Sequence, residues 1–241
     1  MEAAEDKPSP MTADDAPARA GQPRVSPAAG PSPAPGAVAS PGPAEAAAVA
    51  ALARCRVLTL PGWQGSGPGH WQSRWEALYP AQVERLEQDD WWWPRRGDWM
   101  ARLDETVRNA AAHDPGRPVL LAAHSLGCLL VARWAAWAGR HAPVAGALLV
   151  APPDLARDDR PPQLAPWADV ARQRLPFPAV LVASEDDPWC APSRAHALAA
   201  DWGARRVSAG AAGHLNADSA LGDWPAGWAL LRTLAPGAVP I

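Results

Sequence analysis

Ser125 and Asp187 each stand just beyond a short apolar run, His214 stands beyond the last predicted strand, and the three are the side-chain types that nucleophilic catalysis needs. A serine hydroxyl is a weak nucleophile at neutral pH. It requires a base within hydrogen-bond reach, and the base requires a carboxylate to hold its tautomer and orientation. Ser125 lies in Ala123-His124-Ser125-Leu126-Gly127, with small residues two positions to either side. That spacing belongs to a sharp strand-to-helix turn, where bulky flanking side chains clash with the neighbouring strand and helix. By itself, small-x-Ser-x-small also describes an ordinary strand–turn–helix corner. The apolar run from Val119 before it, and the apolar-periodic segment through Val131, Trp134 and Trp137 after it, favour the nucleophile reading. The N–H of Leu126 then opens a helix and points at an incoming oxyanion.

The chain has six histidines, so the base must be chosen among them. His113 and His141 fall at predicted helix ends, and His196 lies within a helix; all three read as solvent-facing. His70 opens a helix beside the first loop, near the expected pocket. His124 adjoins Ser125, and its side chain should point away from the nucleophile. His214 follows the last strand among small residues, which lets it reach across the sheet edge. The acid is Asp187, ahead of Asp154 and Asp186, because Asp187 precedes Pro188 at a strand exit and is the one most naturally presented inward. A second oxyanion donor is expected from Pro61-Gly62-Trp63-Gln64-Gly65-Ser66-Gly67, through the N–H of Trp63 or Gln64. This Gly-rich loop matches neither the dinucleotide pattern nor the P-loop, since no Gly-Lys-Ser/Thr follows.

The elements that must position these residues alternate along the chain. Strands are predicted at Val57–Leu60, Ala81–Leu86, Val119–Ala123, Val144–Val150, Phe177–Ala183 and Arg205–Ser208. Helices are predicted at His70–Tyr79, Asp98–Ala112, Leu126–Gly139, Pro192–Trp202 and Ala226–Leu234. Alternation of this kind implies crossover connections, and hence an α/β fold: a doubly wound, mostly parallel sheet of about six strands with helices on both faces. All strand-exit loops then gather at one sheet edge. The long Pro- and Asp-rich stretch between Val150 and Phe177 is a candidate cap over the site, with a helix near Trp167–Arg174.

Composition narrows the function classes. A net charge of −3 gives no electrostatic case for nucleic acid or an anionic membrane. No apolar run approaches the roughly 18–20 residues of a membrane span. Cys55, Cys128 and Cys190 are widely spaced, fitting neither a disulfide framework nor a zinc site, and read as buried thiols in a reducing, cytoplasmic setting. Most of the 14 Trp are core residues, and some are expected to line an apolar pocket beside Ser125. Residues 1–50 are Ala, Pro, Gly and Ser with scattered acids, too poor in large apolar side chains to offset their conformational entropy. They read as a disordered tail before a folded region at 51–241, although Glu45–Arg54 could form a short helix.

A family likeness rests on several motifs taken together. Leu60-Pro61-Gly62-Trp63…Ser66…Gly69-His70-Trp71-Gln72…Trp75 resembles the opening of the small serine hydrolases related to retinoblastoma-binding protein 9 and the YdeN-like bacterial proteins. Trp93-Pro94…Asp98-Trp99, His124-Ser125-Leu126-Gly127, Ser184-Glu185-Asp186-Asp187-Pro188 and Gly213-His214-Leu215-Asn216…Gly222-Asp223-Trp224-Pro225 follow in the same order. The likeness covers about residues 55–235 and leaves the tail outside. It implies a compact α/β-hydrolase fold lacking the usual first strands, with Ser125 as nucleophile, Asp187 as acid and His214 as base. It implies hydrolysis of small acyl esters or related acyl substrates, with no cofactor or metal. His70, Trp93 and Asn216 are candidates for the substrate pocket. The competing reading is a protein-interaction module on a hydrolase scaffold with little turnover.

Overall fold

In the computed structural model, which describes residues 42–238, the apolar runs become the strands of a single sheet. These are β1 (Arg56–Leu60), β2 (Val83–Arg85), β3 (Val119–His124), β4 (Gly146–Val150), β5 (Ala179–Ala183) and β6 (Arg205–Ser208). Every pairing is parallel, and the order is β2-β1-β3-β4-β5-β6. Strands buried on both faces read as continuous apolar runs, which is why β3, β4 and β5 are so plain in the sequence.

Successive side chains point to opposite faces, so each strand feeds two cores. Leu58, Leu60, Leu121, Ala123, Leu149 and Leu181 pack on one face with Leu103 and Trp99 of α3 (Arg96–His113), Trp134 of α4 (Leu126–Ala138) and Leu198 of α5 (Pro192–Trp202). Val57, Leu120, Ala122, Leu148, Val150 and Val182 pack on the other. There they meet Leu52 of α1 (Pro43–Ala53), Trp71 and Trp75 of α2 (Trp71–Leu78) and Leu231 of α6 (Pro225–Arg232). The architecture is the expected doubly wound α/β sheet, parallel throughout. Strand order reverses between β1 and β3, and in open α/β sheets a crevice forms beyond the strand ends at such a point.

Two expectations change. The short helix allowed for at Glu45–Arg54 is α1, which begins at Pro43, a residue suited to the first helical position, so the boundary drawn at residue 51 moves back to 43. Ala48, Ala51 and Leu52 on one side of the helix are buried, which supplies the apolar anchor that an Ala-rich segment lacks on its own. The rest of the expected tail, residues 1–41, lies outside the described residues. In the long loop after β4, the helix expected near Trp167–Arg174 is instead a short 3₁₀ turn over Pro162–Trp167. Pro161, Pro162 and Pro166 remove amide donors that a longer helix would need. The loop is nonetheless pinned: Leu155, Leu164 and Trp167 are buried, and the Trp167 indole N–H donates to the Pro94 carbonyl at 2.8 Å. Among the described residues, no helix is long and apolar enough to cross a membrane.

Candidate active site

Ser125 sits between β3 and α4 with φ 52° and ψ −122°, the left-handed region that side chains avoid. The turn is held by close packing. A Cβ on Gly127 would lie 2.3 Å from the Leu60 carbonyl oxygen, and one on Gly62 would lie 2.7 Å from Cβ of Ser125. These two contacts explain the small residues around the serine: the loop after β1 lies directly against it. Ala123, fully buried in β3, fills the remaining small position.

The three separated polar residues meet at the C-terminal edge of the sheet. Nε2 of His214 lies 2.9 Å from Oγ of Ser125, and Nδ1 of His214 lies 2.9 and 3.0 Å from the two carboxylate oxygens of Asp187. A carboxylate accepts only, so Nδ1 carries the proton and Nε2 presents its lone pair to the serine. The Asp187 side chain is 2% exposed and that of His214 11%. Asp187 also accepts the N–H of Trp189 at 2.9 Å, which fixes its orientation.

The two alternative acids have other work. Asp186 accepts the Ser184 hydroxyl at 2.7 Å and the Gly213 N–H at 2.8 Å, tying the acid loop to the histidine loop. These bonds hold its carboxyl below the usual range, the Ser184 hydroxyl first. Asp154 pairs with Arg194 at 3.2 Å and caps the N–H of Ala156. Neither touches His214 in this arrangement.

Of the expected oxyanion donors, Gln64 drops out. Its N–H already donates to the Trp91 carbonyl at 3.0 Å, because the loop after β1 is stitched to the loop after β2. Among the described residues, the N–H groups of Trp63 and Leu126 have no acceptor. Both residues line a cavity of about 320 Å³ with Ser125, His214, His70, His124 and Asn216. The cavity has room for a small ligand. A larger one, about 490 Å³, runs along α2 past Arg74, Leu78 and Asp223 but touches none of the three hydrogen-bonded residues.

His70 and Asn216 lie in the cavity wall, and Trp93 does not. Asp90 accepts the N–H groups of both Trp92 and Trp93, at 2.8 and 2.9 Å. That turn sends Trp91 inward against Gly65 and Trp99 and leaves Trp93 60% exposed. Four lining residues escaped the sequence reading: Pro153, Leu164, Trp189 and Ala217. Trp189 had a signal, since it shares the tight turn of Asp187. Leu164 had none, because only the folding of the 151–176 loop over the edge brings it near.

Comparison with known proteins supplies an independent view. A family model described as serine hydrolase matches residues 57–233, most of the chain. Among solved structures, a protein described as a YdeN-like hydrolase from Pectobacterium atrosepticum is 27% identical, with a TM-score of 0.67, over 80% of this chain and 97% of that one. The ydeN gene product of B. subtilis is 21% identical, with a TM-score of 0.58, over 75% and 98%. A monoacylglycerol lipase from Paleococcus ferrophilus, 14% identical with a TM-score of 0.53 over 76% and 95%, shares the fold. A search of curated protein sequences found no match. With the family match spanning the sheet, the elbow and the histidine loop, the chain belongs to the serine hydrolase family.

Proposed function

We propose that this hydrolase cleaves small carboxylic esters through an acyl-enzyme intermediate. The observation that carries the proposal is the unbroken hydrogen-bonded chain Asp187–His214–Ser125 opening on the 320 Å³ cavity. As the Ser125 oxygen attacks the ester carbonyl carbon, its proton passes to Nε2 of His214. The resulting imidazolium is held by Asp187. The carbonyl oxygen becomes an anion, received by the N–H groups of Leu126 and Trp63. His214 returns the proton to the departing alkoxide. Water then attacks the acyl-enzyme, giving its proton to the same nitrogen, and Ser125 is restored as the acid leaves.

The modest cavity volume and its apolar walls, Leu164, Pro153 and Trp189, favour a short acyl group. All three cysteines are free and buried, which suits a reducing compartment, and we place the enzyme in the cytoplasm with no nucleic-acid or membrane partner. The test is turnover of p-nitrophenyl acetate together with labelling by a fluorophosphonate probe. Ser125→Ala is expected to abolish labelling and to lower turnover by about 10⁴-fold or more. Labelling at another residue, or full turnover by Ser125→Ala, would sink the reading.

A further inference from the structure

The histidine loop is held at three successive backbone groups. Asp186 takes the Gly213 N–H, Nε2 of His124 lies 2.9 Å from the His214 carbonyl, and the Trp71 indole donates to the Leu215 carbonyl at 3.1 Å. A carbonyl only accepts, so Nε2 of His124 carries its proton. The bond thus runs from the residue before the nucleophile to the main chain of the base itself. Behind His124 lies His70, 3% exposed, whose Nδ1 accepts the Gln72 N–H at 3.2 Å. Its proton is therefore on Nε2, which has no hydrogen-bond partner among the described residues. Three imidazoles form a file: His70 to His124 at 4.6 Å between centroids and 68° between planes, then His124 to His214 at 5.0 Å and 61°. Burying a polar ring without a partner is costly, so its retention needs a reason.

We propose that His124 is a positioning residue, setting the reach of His214 toward Ser125 through the His214 carbonyl, and that His70 acts only by holding the His124 ring in place. Burial keeps both rings neutral, pushing His70 down to about 3 and His124 well below its ordinary value. When His214 takes the serine proton, the new cation therefore forms beside two uncharged rings.

The inference rests on the ester-hydrolase reading for its kinetic arm. His124→Phe keeps a ring and loses the donor. His124→Asn keeps an amide too short to reach, and serves if the Phe variant does not fold. Either is expected to lower kcat about 10–100-fold, with KM within about two-fold, because misplacement of a reacting group by an ångström costs that much. His124→Gln, whose amide nitrogen reaches about as far as Nε2, should recover kcat to within about five-fold of the parent. His70→Asn keeps the helix cap and removes the ring, and should cost less. Combined with His124→Phe it should add nothing, since coupled residues are non-additive. Unchanged kcat in both Phe and Asn variants, or a Gln variant as slow as they are, overturns the role of His124. Losses that multiply in the double variant overturn that of His70. If the parent neither labels nor turns over, the hydrolase reading fails and the NMR arm decides. The proton on Nδ1 of His214, shared with Asp187, should give a sharp low-field signal in the parent that broadens in His124→Phe. An unchanged signal overturns the inference.

Discussion

At the scale of single residues, the proposed reaction divides the polar groups at the sheet edge into those that would exchange protons and those that hold them in place. Asp187→Asn preserves the turn but favours the wrong tautomer of His214, and turnover is expected to fall by about 10⁴-fold with little change in KM. Asp186→Ala should behave differently. It releases the Gly213 N–H and the Ser184 hydroxyl rather than the imidazole, so a loss of only about ten-fold in kcat is expected from a looser histidine loop. Steady-state kinetics on one ester ranks the two directly, and equal losses would mean that Asp186 shares the charge of the site. The meeting of Ser125 and His214 was legible because each follows a strand, and parallel strands deliver their exits to one edge. The choice among Asp187, Asp186 and Asp154 depended on which carboxylate had competing donors nearby. Those donors, Gly213 and Arg194, come from distant parts of the chain. The same applies to Trp63 against Gln64: only the Trp91 carbonyl, from another loop, removes Gln64 from consideration.

At the scale of elements, the strand β3, its turn and α4 carry the most constraint. Leu60 pairs with Ala123 in register, and its carbonyl sits under the first turn of α4. Gly127→Ala would drive a methyl group into that backbone oxygen, which no rotamer can relieve. Unfolding by urea should show a loss of about 1–3 kcal/mol, or no soluble protein. A variant as stable as the parent would show that β1 and α4 can separate freely. Strand and helix types were legible from period alone, and their ends shifted by a few residues, as in β2, which narrows from Ala81–Leu86 to Val83–Arg85. The segment 151–176 resisted reading because its prolines break any period. Its fold is set by Trp167 and Leu164 finding places on the molecule.

At the scale of the molecule, two buried imidazoles make stability depend on pH. His70 and His124 stay neutral when folded but have ordinary basicity when unfolded. The unfolded chain therefore binds more protons below about pH 6.5, and stability present above that value is lost as pH falls toward the folded-state values. Between pH 7 and 5, before most carboxylates titrate, melting temperature should drop. Each ring contributes a slope of at most about 1.4 kcal/mol per pH unit. His124→Gln should flatten the drop by roughly half, one of two such rings being removed; a slope that persists unchanged would place the proton uptake elsewhere. A further consequence concerns the three thiols. Cys55 and Cys128 are fully shielded, just before β1 and in the first turn of α4, and Cys190 is nearly so. Burial raises all three, with Cys190 pushed up to about 12, so the reactive thiolate is scarce as well as hidden. The folded protein should thus be silent to an alkylating dye while remaining fully active. Once opening limits the reaction, the modification rate at Cys128 becomes a clock for how often the strand beside the nucleophile parts from its helix.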